Sequence, residues 1–378
     1  MTRTYLDWAA AAPVSPQCMR TFTHALRAFG NPSSPHAEGR AAKEVLEDAR
    51  TRIARLAMVK PDAVTFTSGA TEANALGIVG SMRALWDAGT DPKDIHVLYL
   101  PSAHASTQGA IKELRSWGVD AEPLSVMGGV IDLARLKTQV RPSTALMVLE
   151  AVCGETGTRF DTRAVRRAIG EKILIHVDAS QLPLVESFEL TRLSADTLSL
   201  DAQKAGGVRG IGVLIAPRQV SLAPLIRGGG QERGLRPGTE ASALAAAFAH
   251  ALEEAHDRAP GFHLRATDMR KALMRHLPAC HINGGEAVVP HILNISLPGR
   301  DTDYLVALLD EAGFAVATRS ACATNEEGSV AVLAMTGDET RAASTLRVSW
   351  GPKTNPRDLV RFAKALVRAV RFLDMNAV

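Results

Sequence analysis

The stretch Ala317–Gly328, ATRSACATNEEG, sets one thiol, Cys322, among small and polar residues with glycine close behind. Nothing apolar beside it would bury it. A thiol so placed is either an idle loop residue or a nucleophile on a segment that must move. Lys204 poses the same kind of choice. It follows DTLSLDAQ and precedes AGG, at the end of a predicted strand. A partly desolvated amine there attacks an aldehyde and forms a Schiff base, whereas a solvated loop lysine does nothing. Asp178 closes the apolar run KILIHVDA. It either pairs with a pyridinium nitrogen and keeps it protonated, or caps the next helix. Gln181, three positions on, donates to a ring oxygen or caps in its turn.

Anion chemistry points to other stretches. TSGATEAN turns from strand to helix at a glycine, and the free amides of such a turn hold phosphate, with Ala70 and Thr71 as contacts. It is neither a Walker nor a Rossmann pattern. His104, in PSAHAST, lies flat on an aromatic cofactor or serves as a structural hydrogen-bonding residue. The glycine-rich GGGQERGLRPGTE, with Arg233 and Arg236, suits close backbone packing at an anion site or an interface. Arg347, in LRVSWG, is a candidate clamp for a substrate carboxylate or a plain surface arginine.

The elements that must position these groups alternate. Strands are predicted at AVTFTSG, IHVLYL, VDAEPL, TALMVLEAV, KILIHVDA, DTLSLDAQK and GIGVLIA. Helices fall between them, at 17–29, 37–58, 70–86, 105–117 and 161–170. Short strands separated by helices imply a mostly parallel sheet covered on both faces, with ligands beyond the carboxyl ends of the strands. SGATE, AHA, DAS and DAQK all fall there. After an alanine-rich helix at 240–256 comes an α+β region: helices at 262–276, 301–312 and 356–373, and strands HILNISL and TLRVSW. The expected division is a segment 1–15 packing on the small domain, a large domain 16–255, and a small domain 256–378 that carries the Cys322 loop.

Composition excludes several classes. The chain has 378 residues, 46% apolar and 22% charged, in the range of an ordinary globular protein. A net charge of +3 is too small and too dispersed for nucleic acid or an anionic membrane. Cys18, Cys153, Cys280 and Cys322 form no CxxC, which argues against a disulfide framework or a cysteine-rich metal site. No run is long and apolar enough to span a bilayer and no signal-like layout opens the chain, so the expected location is the cytoplasm.

In order along nearly the whole chain, the motifs resemble those of the cysteine desulfurases, in the NifS/IscS-like branch of the class V aminotransferase-like pyridoxal-phosphate enzymes. YLDWAAAAPVSP resembles the family's opening segment, FGNPSSPHAEGR its counterpart stretch, and FTSGATEAN the phosphate-binding turn. HVDASQ resembles the ring-nitrogen aspartate with its glutamine, GGGQERGLRPGTE the family's most distinctive stretch, and ATRSACATN the catalytic loop.

The resemblance implies fold type I, with a mostly parallel seven-stranded sheet and a smaller α+β domain. It implies pyridoxal phosphate on Lys204, held by Ala70, Thr71, His104, Asp178, Gln181, Asp201 and Gln203. Thr239 would reach the phosphate of the other subunit of a homodimer. Asn31 and Arg347 would bind L-cysteine. Lys204, His104 and Cys322 would carry the reaction, leaving alanine and a persulfide on Cys322 for an iron–sulfur scaffold or a sulfur-relay protein. Arg319 and His104 would help the thiolate form.

Three places depart from the family. Its Ser-x-His-Lys is here DAQK, putting Asp201 and Gln203 where the phosphate-binding serine and the histidine stand. Its paired asparagines are Cys153 and Gly154, and the asparagine of the opening segment is Trp8. An anionic Asp201 repels a phosphate unless it is turned away, protonated or paired. Rival readings are a selenocysteine or cysteine-sulfinate lyase, an aminotransferase of the same fold, and a non-enzymatic dimer that binds a sulfur-pathway partner.

Overall fold

A computed structural model describes residues 3–318 and 328–376; the predicted catalytic loop, with Arg319 and Cys322, lies outside the described residues. The chain runs β1 (Thr4–Tyr5), α1 (Pro16–Ala25), α2 (Ala37–Leu56), β2 (Val64–Thr67), α3 (Ala70–Asp87), β3 (His96–Tyr99), α4 (Ala105–Ser116) and β4 (Asp120–Pro123). A small hairpin, β5 (Val126–Met127) and β6 (Val130–Ile131), leads into α5 (Leu133–Gln139), β7 (Thr144–Glu150), α6 (Thr162–Ile169), β8 (Leu174–Asp178), β9 (Thr197–Asp201) and β10 (Gly212–Ile215). The rest is α7 (Ser242–Met274), β11 (His281–Asn283), β12 (Ile292–Ser296), α8 (Thr302–Glu311), β13 (Phe314–Ala315), α9 (Val330–Thr336), α10 (Glu339–Ala343), β14 (Thr345–Ser349) and α11 (Pro356–Asn376).

Seven strands form one sheet in the order β2-β10-β9-β8-β7-β3-β4. Only β10 runs antiparallel, against both β2 and β9; the other pairs are parallel. Successive residues feed two cores. Val97, Tyr99, Leu146 and Val148 pack into one, and Leu98, Met147 and Leu149 into the other. That is the two-sided burial expected of a parallel sheet under helices on both faces. Helix starts are set by side chains: Ser15, His36 and Asp161 each accept an amide of the first turn they precede.

A second, antiparallel sheet, β11-β12-β14, makes the smaller layer. The opening segment lies along this part of the molecule: β1 pairs with β13, and Asp7 bridges to Ser349. One expected break is absent. The helices read at 240–256 and 262–276 are a single helix, α7, with Pro260 inside it, so the boundary drawn between 255 and 256 falls within a helix. Proline costs the turn one hydrogen bond, but Ala259, Phe262 and Ala266 carry the buried face of Ala245–Ala255 straight through it.

Candidate functional site

The carboxyl edge of the large sheet collects the chemistry. Glu150 and Asp178 are register partners at the ends of β7 and β8, and Asp201 ends β9. Lys204 follows in a single 3₁₀ turn. Its Nζ donates to the carbonyls of Ala9 (2.6 Å) and Ala10 (2.7 Å), so the opening segment crosses over the amine. Burial, followed by the nearby Arg347 cation, pulls the Lys204 pKa below its ordinary value. Gln181 donates to the same Ala9 carbonyl at 3.0 Å. The absence of a side chain at Gly154 leaves that glutamine room, because a Cβ there would come within 2.9 Å of its Nε2.

Asp178 is held on both oxygens. The Ser180 amide donates to Oδ1 at 2.9 Å and the Asn74 amide to Oδ2 at 2.7 Å. Asn74 also donates to Ser106 Oγ at 2.9 Å, and that hydroxyl bonds His104 Nδ1 at 2.8 Å. The Ser106 amide donates to the same ring nitrogen, which is therefore the acceptor nitrogen of a neutral imidazole. Burial lowers the His104 pKa, consistent with that neutral form. One short chain, Asp178–Asn74–Ser106–His104, thus fixes the acid and the imidazole relative to each other. Behind it, Ser199 Oγ and His176 Nε2 bond Asn74 Oδ1, and Thr197 Oγ1 bonds His176 Nδ1 at 2.8 Å.

The turn into α3 follows β2, with β10 between it and β9. Gly212 of β10 sits between Thr67 of β2 and Asp201 of β9 in register. A Cβ at Gly212 would strike the Gly69 backbone at 2.5 Å, so glycine lets the β2–α3 turn close down over the sheet edge. Asp201 consequently reaches the turn: Oδ2 accepts the Ala70 amide and Oδ1 the Gln203 amide, both at 3.0 Å. Burial raises the Asp201 pKa against these two donors. Thr71 is exposed, and lines a cleft between α3 and α4 with His104.

Arg347 is buried in β14. Its guanidinium pairs with Asp7 at 2.8 Å and donates to the Gly154 carbonyl at 3.1 Å, while Nε has no partner among the described residues. Asn31 and Thr239 sit together on an exposed edge, in contact at 3.5 Å. Cys153 is buried, and burial together with Glu150 pushes its thiol well above the ordinary range, so it is a neutral core thiol.

Two participants were not singled out from the sequence. Asn74 lies four residues after Ala70, on the same face of α3, and a fully buried asparagine in an alanine-rich helix is the signal that could have found it. Glu150 is the single charge in the apolar strand TALMVLE. It is buried, with Oε1 unpaired among the described residues, and burial plus Asp178 raises its pKa well above the carboxylate range.

Comparison with known proteins agrees with this architecture. The family model for class-V aminotransferases matches residues 4–362. The chain is 31% identical to "Cysteine desulfurase IscS" of Methylobacillus flagellatus, across 100% of this chain and 98% of that protein. Among solved structures, a "NIFS-like protein" superposes with a TM-score of 0.91 at 28% identity, covering 98% of this chain and 100% of the other. The structure described as "SspA in complex with cysteine" superposes with a TM-score of 0.80 at 27% identity, covering 94% and 100%.

Proposed function

Since this chain belongs to the class-V aminotransferase family, in its NifS-like group, we propose that it is a pyridoxal-phosphate-dependent cysteine desulfurase. The observation that carries the reading is the joint fixing of Asp178, His104 and Lys204 at one sheet edge. The ring end of the cofactor fits these residues. The carboxylate of Asp178, held by two donors, would pair with a ring nitrogen, the neutral imidazole of His104 would cover a ring face, and Lys204, its pKa lowered, would meet the aldehyde. Gln181 would serve the ring oxygen. Bound there, pyridoxal phosphate supplies a sink for the electron pair left at the substrate's α-carbon.

The chain's own residues do the rest. Lys204 leaves the Ala9 and Ala10 carbonyls and moves the α-proton, a role suited to an amine whose pKa burial lowers. Arg347, with Asn31, takes the carboxylate of L-cysteine; its Nε, without a partner among the described residues, is a donor for it, and Asp7 orients the guanidinium. Asp178, held by the Asn74 and Ser180 amides, would pair with the ring nitrogen.

Cys322 then takes the sulfur. An S–S bond forms, the C–S bond breaks, and its electron pair stays with the three-carbon fragment, which is protonated to alanine. The persulfide passes to an acceptor protein such as an iron–sulfur scaffold. A homodimer, in which the exposed Thr239 serves the other subunit's site, belongs to the same reading, as does a cytoplasmic setting. Among the described residues no helix is long and apolar enough to cross a membrane.

The test is Cys322→Ser, assayed for alanine and sulfide from L-cysteine. The variant is expected to bind cofactor and to release neither product. Mass spectrometry of the wild type after a brief cysteine pulse should find one extra sulfur on the Cys322 peptide. Full alanine and sulfide production by Cys322→Ser would defeat the reading. The buried, protonated thiol of Cys153 makes Cys153→Ser the control.

A further inference from the structure

The turn into α3 is where a cofactor phosphate would find its amides, and two carboxylates of the chain already hold that turn. Gly69, at the N-cap, offers no side chain to the first turn. Asp201 Oδ2 accepts the Ala70 amide at 3.0 Å, reaching across 131 residues of sequence. Its other oxygen accepts the Gln203 amide, so both are engaged by backbone donors. In the same first turn, Glu72 accepts the Ser68 amide at 2.6 Å and pairs with Arg236 at 3.1 Å. A Cβ placed on Gly69 would lie 3.3 Å from Asp201 Oδ2, so the carboxylate is packed against the turn itself. An anion at a helix N-terminus is stabilised by the amides and the dipole there. Asp201 meets that requirement from within the chain. A phosphate entering the same place meets a like charge and must take an amide already in use.

We propose that Asp201 is the resident occupant of the phosphate seat, so that loading a phosphate-bearing cofactor requires this chain to displace its own carboxylate and the phosphate adds little to affinity. The inference rests on the pyridoxal reading above and goes beyond it. The ring end of the site is built to hold a pyridine aldehyde, while the phosphate end is filled by the protein. Gly212, which brings β9 and the β2–α3 turn together, is what places Asp201 within reach.

The experiment compares pyridoxal phosphate with pyridoxal, which lacks the phosphate, by equilibrium dialysis against the wild type, Asp201→Ser and Asp201→Asn. The ratio of the two affinities cancels any general loss of site integrity, and Asp201→Asn keeps the side-chain shape if the serine variant folds poorly. The wild type is expected to prefer the phosphorylated form only by a few fold. Both variants should widen that preference about tenfold or more, through tighter binding of pyridoxal phosphate alone. A ratio unchanged in both variants, or a wild-type preference already about a hundredfold, overturns the proposal while leaving the pyridoxal reading intact. Failure of both aldehydes to bind, and of borohydride to fix either one to Lys204, overturns the reading and this inference with it.

Discussion

Asn74 meets Asp178, Ser106, His176 and Ser199 through the two ends of one amide, with both hydrogens and the oxygen engaged. Removing the amide strands a buried carboxylate oxygen, a hydroxyl and an imidazole nitrogen at once. Leaving buried polar groups unpaired costs about 1–3 kcal/mol each where relaxation does not relieve it. Asn74→Ala should therefore lower unfolding stability by about 2 kcal/mol or more in urea denaturation. It should also weaken pyridoxal binding, because His104 loses its tie to Asp178. Asn74→Asp should be worse still in stability, since it sets a second carboxylate against Asp178. A variant Asn74→Ala as stable as the wild type would show that the network carries no weight.

The opening segment acts as an element although only Thr4–Tyr5 is a strand. Trp8 is buried and packs against Gly351, where an added Cβ would stand 2.1 Å from the indole. The next two residues, Ala9 and Ala10, carry the carbonyls that hold Lys204. Gly351→Ala must push the indole aside, and overpacking of this kind costs about 1–3 kcal/mol. The displacement should travel two residues along the chain and loosen the Lys204 amine. The expected outcome is a lower melting temperature together with a changed rate of borohydride-trapped modification of Lys204 by pyridoxal. An unchanged trapping rate in a destabilised variant would confine Trp8 to packing. Trp8 thus contributes packing from a position where the resembled family has an asparagine, and Asp7 beside it orients Arg347.

Across the whole molecule, two kinds of buried group set opposite pH trends. His176 is buried and its pKa is lowered from 6.5 to about 4, chiefly by burial. The unfolded chain takes up a proton on this histidine below about 6.5, whereas the native state does so only near 4. Native stability from this residue is therefore complete above pH 6.5 and declines as pH falls toward 4, by on the order of 3 kcal/mol. The stability gap between the wild type and His176→Gln should narrow by that order between pH 7 and pH 4. Glu150 works the other way. Its pKa is raised well above 4.5 by burial and by Asp178, so the native state keeps a proton that the unfolded chain releases. Stability from Glu150 erodes as pH rises above about 4.5, and Glu150→Gln should gain on the wild type from pH 5 to pH 7. Denaturant titrations of both variants at several pH values check the two signs.

Much of this molecule was legible before any fold was seen. The alternation of short apolar strands with helices determined a parallel sheet, and the strand ends located Lys204, Asp178 and His104, because strand period and turn chemistry are local properties. Most helix boundaries followed from local pattern for the same reason, but the helix expected at 17–29 ends at Ala25, and at Pro260 a continuous buried face overrode a local breaker. What the local pattern left open was the choice of partner. Asp201 was expected to repel a phosphate unless turned away, protonated or paired, and the structure pairs it with an amide 131 residues distant. Arg347 finds Asp7 across 340 residues, and Lys204 finds the Ala9 carbonyl of the opening segment across 195. A buried polar group must be satisfied by something, and its residue type says what kind of partner it needs. Which partner it meets depends on how β10 and Gly212 bring a turn and a strand end together, and that is decided only when the layers pack.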